Sequence, residues 1–400
     1  MLNFLFKKAD ISPTADRSDR ETRITALARI LILIGILACF THFNAARAVI
    51  GLIAITFLAL PETRKHFFDY RGSKIICIFL FLTGTVAAIN LNVLGFLAAL
   101  MCLGMLIFAN TARAFMTPKF FDSIIDFICA GSVFAGIYCI IEFIVMRQQD
   151  ADYRSMAWFP NPNFYAATVM LVIVLCAYKV TQLGWKSWPY VLVAFLNAAG
   201  LYTSMSMSLW LVALIAVTIL LIYTKKYGLL ALLWGAVAVV VVLIFTKPEL
   251  FERITHIGGT TRNRVKIWKF AIEQYQQVPL FGRGFFTYHH LYEKLHETQK
   301  IFKASLCHSI YLDSLLCHGI VGTTLAGTFF IRYLQDLAAA RKALKAKGIH
   351  RPITGMLIGI FVALACYGLI DTTLVWIQGG TILLLLAAGG LGVEEKIAKE

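Results

Sequence analysis

The chain has 400 residues, of which 59% are hydrophobic and only 15% charged, and its mean hydropathy is +0.74; soluble domains carry about 25% charged residues. One aqueous core cannot hide that much apolar surface, which excludes a soluble enzyme, a disordered tail and a secreted disulfide scaffold. The formal net charge of +15 is what short basic loops on one side of a bilayer give, and it is no sign of nucleic-acid binding.

In chain order, residues 1–24 are polar and charged and lack the apolar core and small-residue cleavage site of a signal peptide, so the first span is expected to act as an uncleaved insertion signal. Apolar runs predict twelve transmembrane helices, nine within 25–246 (25–43, 46–61, 75–89, 94–109, 124–145, 165–181, 188–204, 208–223 and 228–246) and three within 310–392 (310–331, 353–371 and 374–392). The pairs 75–89/94–109 and 188–204/208–223 are short enough to merge or tilt. Residues 247–309 form one large loop, 393–400 a short tail, and no internal repeat is visible. The expected fold is an all-α polytopic membrane protein.

Charge orients it. The two tails and the loops on their side hold 23 Lys and Arg, whereas the opposite short loops hold only Arg47, Arg147 and Arg154. That asymmetry puts both tails in the cytoplasm, and the ten basic residues of 247–309 do not upset it, because long loops translocate largely regardless of charge. The long loop is then extracytoplasmic. Within it Val265, Trp268, Ala271/Ile272 and Tyr275 recur at helical spacing, Pro279 ends the helix, and Gly282 and Gly284 allow a tight turn. An amphipathic helix near the headgroups is expected. Most of the nine cysteines lie inside apolar runs and there is no CxxC pair, so neither a disulfide framework nor a zinc ribbon is supported.

The outward ends of the predicted spans collect polar groups: Asn161-Pro162-Asn163, Arg262 and Arg264, His308-Ser309, and Asp371. Arginine suits phosphate oxygens and stays charged beside apolar surface, while a histidine can take a proton from a hydroxyl. Together at a bilayer surface they suit a reaction in which a lipid diphosphate leaves and a hydroxyl attacks. Simpler roles stand beside this one: arginines contact headgroups, a histidine caps a helix, Asp371 makes a helix-end polar contact, and Glu142 and Asp126 face water at span ends. Among His289, His290, His296 and His308 carboxylates are sparse, and His289-His290 are adjacent rather than at helical ligand spacing, which argues against a metal. His318 lies about 15 Å deeper than His308 along a helix, and Gly319 and Gly322 would let helices approach closely.

His308-Ser309, nine residues, then Gly319-Ile320-Val321-Gly322 matches the pattern H-[NSQ]-x9-G-x-x-[GTY] and resembles the O-antigen ligase family, related to polysaccharide polymerases. Arg264 to Trp268 looks like the family's R-x-x-x-W. Pro279-Leu280-Phe281-Gly282-Arg283-Gly284 resembles its P-L-x-G-x-G run, and Asn161-Pro162-Asn163 its N-P-N segment. The resemblance implies a C-type glycosyltransferase architecture that moves a glycan from undecaprenyl diphosphate to an acceptor hydroxyl, with inversion and without metal or cofactor. Its partners would be that lipid-linked donor, a glycan or lipid-glycan acceptor, and the bilayer. By position, His308 would be the base and Arg264 would hold the diphosphate, with Arg262 and Arg283 added on charge and Asp371, Asn161, Asn163, Ser309, Gly319 and Gly322 in support.

One departure stands out. Where the family carries an S-R-x-x-W-like segment, this chain reads Ser206-Met207-Ser208-Leu209-Trp210, and methionine cannot offset a phosphate charge. Arg262 or Arg283 is expected to substitute. The motifs do not separate ligase from polymerase, and a lipid-linked oligosaccharide flippase or a non-catalytic glycan-lipid-binding relative remain as alternative readings.

Overall fold

The computed structural model describes residues 15–247, 257–298, 301–304, 306–372 and 376–400, and the regular structure among them is helical. Before the loop come α1 (Ala15–Ala38), α2 (Phe43–Ala59), α3 (Pro61–Asp69), α4 (Arg71–Ile89) and α5 (Val93–Ala114), then α6 (Pro118–Met146), α7 (Pro162–Leu183), α8 (Trp188–Thr203), α9 (Met207–Tyr223) and α10 (Tyr227–Thr246). The loop contributes α11 (Ile257–Gln277) and α12 (Thr287–Leu295). The chain ends with α13 (Ile310–Ala346), α14 (Pro352–Tyr367) and α15 (Ile377–Lys399).

Each predicted apolar run coincides with a helix, but the expected count of twelve spans is not reached by length and composition. Seven helices among the described residues are long and apolar enough to cross a membrane, or eight if α2 and α3, bent by 99°, are one span. Three features account for the difference, the first being that α1, with its charged first turns, is not among the candidate spans. Helices α9 and α14 are apolar but short, and α7 and α8 form one 42-residue apolar run through the 3₁₀ turn Gly184–Ser187. These two fold back on each other: a Cβ on Gly200 would stand 2.2 Å from the Tyr165 hydroxyl. The short pairs neither merge into single helices nor lose their breaks; Asn90–Asn92 separates α4 from α5, and Ser204–Ser206 separates α8 from α9. Helix α13 runs 15 residues beyond the expected 331, so the basic segment 332–346 is helical.

Local chemistry sets several starts. Thr117 and Asn92 cap α6 and α5, accepting from the Phe120 and Gly95 N–H groups, and Asn161 caps α7 through the Asn163 N–H, with Pro162 in the first turn. Each such cap stabilises its helix by about 1 kcal/mol. The interior is one large cluster centred on Phe57, Phe108, Phe120, Phe121, Tyr165 and Tyr178. Outward-facing Phe81, Phe134, Phe195 and Phe245 are exposed, the pattern of a bundle whose solvent is lipid, and α10 buries none of its residues. Close approach uses small residues: a Cβ on Gly359 of α14 would sit 2.5 Å from the Ala216 carbonyl oxygen of α9.

Helix α13 is broken at Gly319, whose φ of 61° and ψ of −169° are not helical. The break frees the Ile320 and Val321 N–H groups, which donate to the Pro279 and Leu280 carbonyls at 2.8 and 3.0 Å. In return Arg283 and Gly284 donate to the Cys317 carbonyl at 3.2 and 2.7 Å. The 279–284 turn is thereby stitched into the helix, and the backbone groups that the kink exposes are satisfied. Gly319 was expected to admit a neighbouring helix; instead a Cβ there would stand 2.3 Å from the Leu280 carbonyl oxygen, so what it admits is the loop. Gly322 faces α4, with Phe79 at 3.7 Å.

Candidate active site

Five segments meet at one end of the bundle: the 147–161 loop, the α8–α9 junction, α11, the Cys307–Ser309 turn and the residues after α14. His308 stands in the left-handed region at φ 51°, a conformation that costs a non-glycine residue about 1–3 kcal/mol unless its surroundings hold it. Two contacts do so. The Cys307 N–H donates to Asp313 Oδ1 at 3.2 Å, and the Trp268 indole N–H donates to the Cys307 carbonyl at 3.0 Å.

The His308 ring turns Nδ1 toward Asp371 Oδ1 at 3.4 Å. Asp371 is 2% exposed, while the His308 side chain is 33% exposed, so the dyad has a buried carboxylate and a reachable imidazole. Burial raises the Asp371 pKa, but the His308 hydrogen bond and charge, the Thr372 N–H at 2.8 Å and the Arg264 charge outweigh it and leave it below the ordinary carboxylate value. Asp371 is therefore an anion, oriented from one side by His308 and from the other by the Asn163 amide at 3.1 Å. An imidazole held through Nδ1 by a carboxylate presents Nε2 as a base, the arrangement used wherever a hydroxyl nucleophile is activated.

The polar chain continues past Asn163. Its Oδ1 accepts from the Arg154 guanidinium at 2.6 Å and from the Ser206 hydroxyl at 2.8 Å. Arg154 also donates to Ser206 Oγ at 3.1 Å and to the Ser204 carbonyl at 3.0 Å. With oxygen facing arginine and nitrogen facing carboxylate, the Asn163 amide has a single consistent orientation. Asn161 acts through its cap, and Ser309, buried beneath His308, accepts the Asp313 N–H at 2.8 Å through its carbonyl.

Arg154 is the residue that sequence reasoning missed. It counted only as a stray basic residue in a short loop, yet it is the cation that the structure brings to Ser206-Met207. A signal was available in its position seven residues before the N-P-N segment. The expected substitutes lie elsewhere. Arg283 donates to the Gln274 carbonyl and to the side-chain oxygens of Gln274 and Gln277 at 3.1–3.4 Å, at the far end of α11 from Arg264, and burial lowers its pKa. Arg262 is exposed on α11.

Two carboxylates that could have simply faced water have protein partners, although the Asp126 side chain stays 39% exposed. Glu142 accepts the Tyr153 hydroxyl at 2.5 Å and the Met156 and Ala157 N–H groups at 3.1 and 2.7 Å, fixing the loop that carries Arg154. Asp126 pairs with Lys179 at 2.9 Å and accepts from the Tyr190 hydroxyl at 2.6 Å. Helix α11 forms as expected, but its buried face is Ile267, Ala271 and Gln274, while Val265 and Ile272 are 41% and 43% exposed. Its inner face joins Tyr288, Leu291, Cys307 and Leu316 in a small separate core. Among the described residues no group of three or more His, Cys, Asp or Glu is placed to hold a metal ion.

Beside the dyad lies a cavity of about 330 Å³ whose lining includes Phe164, Phe286, Thr372, Trp376, Phe79 and His318. Phe164 stacks on Trp376 at 5.0 Å between ring centroids. His318 is buried among Phe79, Phe285 and Thr83. The size is at the lower end of ligand pockets, about 300–1,000 Å³.

Residues 192–327 match the family model described as O-antigen ligase. No curated protein matches the chain in sequence. The matched third contains Arg264, Trp268, Arg283, His308 and Gly319, whereas Asp371, Asn163 and Arg154 come to the same place from outside it. Over that third the chain is similar to the O-antigen ligase family, and its many apolar helices are those of a multi-pass membrane protein.

Proposed function

We propose that the protein is an integral membrane glycosyltransferase that moves a glycan from undecaprenyl diphosphate to an acceptor hydroxyl, as an O-antigen ligase or a surface-polysaccharide polymerase. In this reading twelve spans cross the cytoplasmic membrane, both tails are cytoplasmic, and residues 247–309 lie outside together with the site. The observation that carries it is the His308–Asp371 dyad, buried on the carboxylate side and open on the imidazole side.

His308 Nε2 takes the acceptor hydroxyl proton as that oxygen attacks the anomeric carbon and the carbon–oxygen bond to the diphosphate breaks. Attack opposite the leaving group inverts the anomeric centre. The activated lipid carries the free energy of transfer, so no external energy source is required, and arginines rather than a metal take up the charge of the leaving diphosphate. Arg264, whose charge reaches Asp371, and Arg154, on the other side of Asn163, are the cations placed to hold it. Arg154 takes the place expected of Arg262 and Arg283, which we assign to the loop surface and to the fixing of the turn. The apolar cavity beside the dyad suits the first isoprenoid units of the donor.

The test is a reconstituted assay with purified protein and undecaprenyl-diphosphate-linked oligosaccharide, with and without acceptors, products resolved by size. Wild type should elongate the lipid-linked chain if it is a polymerase, or move glycan to a different acceptor if it is a ligase, and His308→Ala should do neither while remaining folded. Near-normal transfer by His308→Ala would remove histidine base catalysis. No product over a broad panel, with uptake into sealed vesicles, would favour a flippase.

A further inference from the structure

At the end of the bundle away from His308 lies a second cavity, polar and about 650 Å³, between α3, α5, α13 and α15. Three helices measure its distance from the site. From Asn92 to Arg113 on α5, from Trp376 to Glu395 on α15, and from Ser309 to Arg332 on α13 the chain advances about 28–35 Å at 1.5 Å per residue. That is about the hydrocarbon thickness of a bilayer.

Its charged lining has both signs: Arg113, Arg332 and Lys399 against Asp336 and Glu395. Arg113 bonds to Glu395 and lies over the Tyr70 ring, 4.4 Å from its centroid. Arg332 and Asp336 are 3.8 Å apart, beyond hydrogen-bonding distance. The Tyr70 hydroxyl is buried with no hydrogen-bond partner among the described residues, a state that disfavours the fold unless a ligand relieves it.

The basin opens into an apolar slot. A narrow cavity of about 70 Å³ shares Tyr70, Asn110 and Arg113 with it and continues between Phe330, Phe361 and Leu391. Through Leu106, Phe329 and Leu384 the slot meets the cavity beside the dyad. A polar chamber at one bilayer depth that narrows to an apolar furrow running inward has the shape of an amphiphile.

We propose that this basin binds the headgroup of a zwitterionic phospholipid bearing a primary ammonium, of the phosphatidylethanolamine kind, with an acyl chain in the slot. Arg332, Lys399 and the Tyr70 hydroxyl address the phosphate, and Asp336 with Glu395 the ammonium. An ammonium supplies three donors to those carboxylates, which a quaternary choline cannot do. A headgroup with a phosphate and no cation would draw Arg332 to the phosphate and leave Asp336, 3.8 Å from it, without a donor of its own. Charged recesses between helices at the headgroup level are natural lipid sites. The site is independent of the transfer reaction: none of its residues belongs to the machinery around His308.

The experiment is native mass spectrometry of the purified full chain, delipidated in detergent and offered equimolar phosphatidylethanolamine, phosphatidylglycerol and phosphatidylcholine of matched chains. Wild type should retain phosphatidylethanolamine about tenfold over the other two, the ratio expected for one charge-assisted hydrogen bond. Asp336→Asn should erase the preference over phosphatidylglycerol, and Arg332→Gln should lower retention of all three. Lys399→Gln, at an exposed helix end where folding is not at risk, should lower retention by a few-fold. Equal retention of the three lipids, preference for phosphatidylglycerol, or indifference to all three variants would each overturn the assignment and leave an ion-pair network.

Discussion

The Trp268 indole donates to the carbonyl oxygen of Cys307 at 3.0 Å, across 39 residues of sequence. That bond ties the loop helix to the residue before His308, and Arg264, one turn earlier on the same face of α11, is carried toward the dyad. The spacing of arginine and tryptophan is thus a positioning device: the ring anchors and the guanidinium projects.

Trp268→Phe keeps the packing and loses the donor. It should lower turnover by about tenfold, the worth of a partly buried hydrogen bond to a catalytic turn, with little change in thermal unfolding. Trp268→Ala should also loosen α11. A phenylalanine variant with wild-type turnover would show that the indole packs without positioning.

Arg154 should be required for donor use. Arg154→Ala is expected to reduce transfer by at least tenfold, the loss of one charged contact to a diphosphate. Because Arg154 reaches Ser206, Met207→Arg in that background should restore part of the activity. If Arg154→Ala transfers normally, the cation there serves only the loop. Glu142→Gln, which weakens the hold on the same loop, should give a milder form of the same defect.

Asp371 links structure to pH. Its folded pKa lies below the ordinary 3.8, so the unfolded chain takes up the proton first. The stability that the carboxylate contributes is fully present above about pH 4 and is lost as pH falls through the lower folded value. Asp371→Asn should remove that acid limb from the unfolding midpoint and lower transfer about a hundredfold, as when a general base loses its orienting partner. An unchanged acid limb in the variant would mean that Asp371 is not the titrating group.

Gly319→Ala and Gly282→Ala probe the stitched break. Both glycines have positive φ, and an added Cβ would meet backbone atoms at 2.3 Å and 2.5 Å. Backbone of that kind yields little, so each variant should lose about 2 kcal/mol or more of stability, and transfer should fall because α11 loses its seat. Wild-type melting of both variants in detergent would show that the turn and the helix adjust independently.

The sequence by itself determined that the chain lives in a bilayer, where the apolar helices run, that α11 forms and stops before Pro279, and that His308, Arg264, Asn163 and Asp371 are worth attention. These follow from local composition, period and spacing, which one segment carries alone. It left open the partners of Glu142 and Asp126, and it misjudged the buried face of α11 and the cation at Ser206-Met207. Only the tertiary structure decided those, because each depends on a partner in another segment. Arg154 finds Ser206 52 residues away, His308 finds Asp371 63 away, and Asn163 finds Asp371 208 away. The break at Gly319 belongs to the same class: a glycine in an apolar run reads as a helix contact until the loop that fills the break is seen. Hydrogen bonds between distant segments leave no period in either partner, and in a bundle solvated by lipid they decide which polar side chains converge on one site.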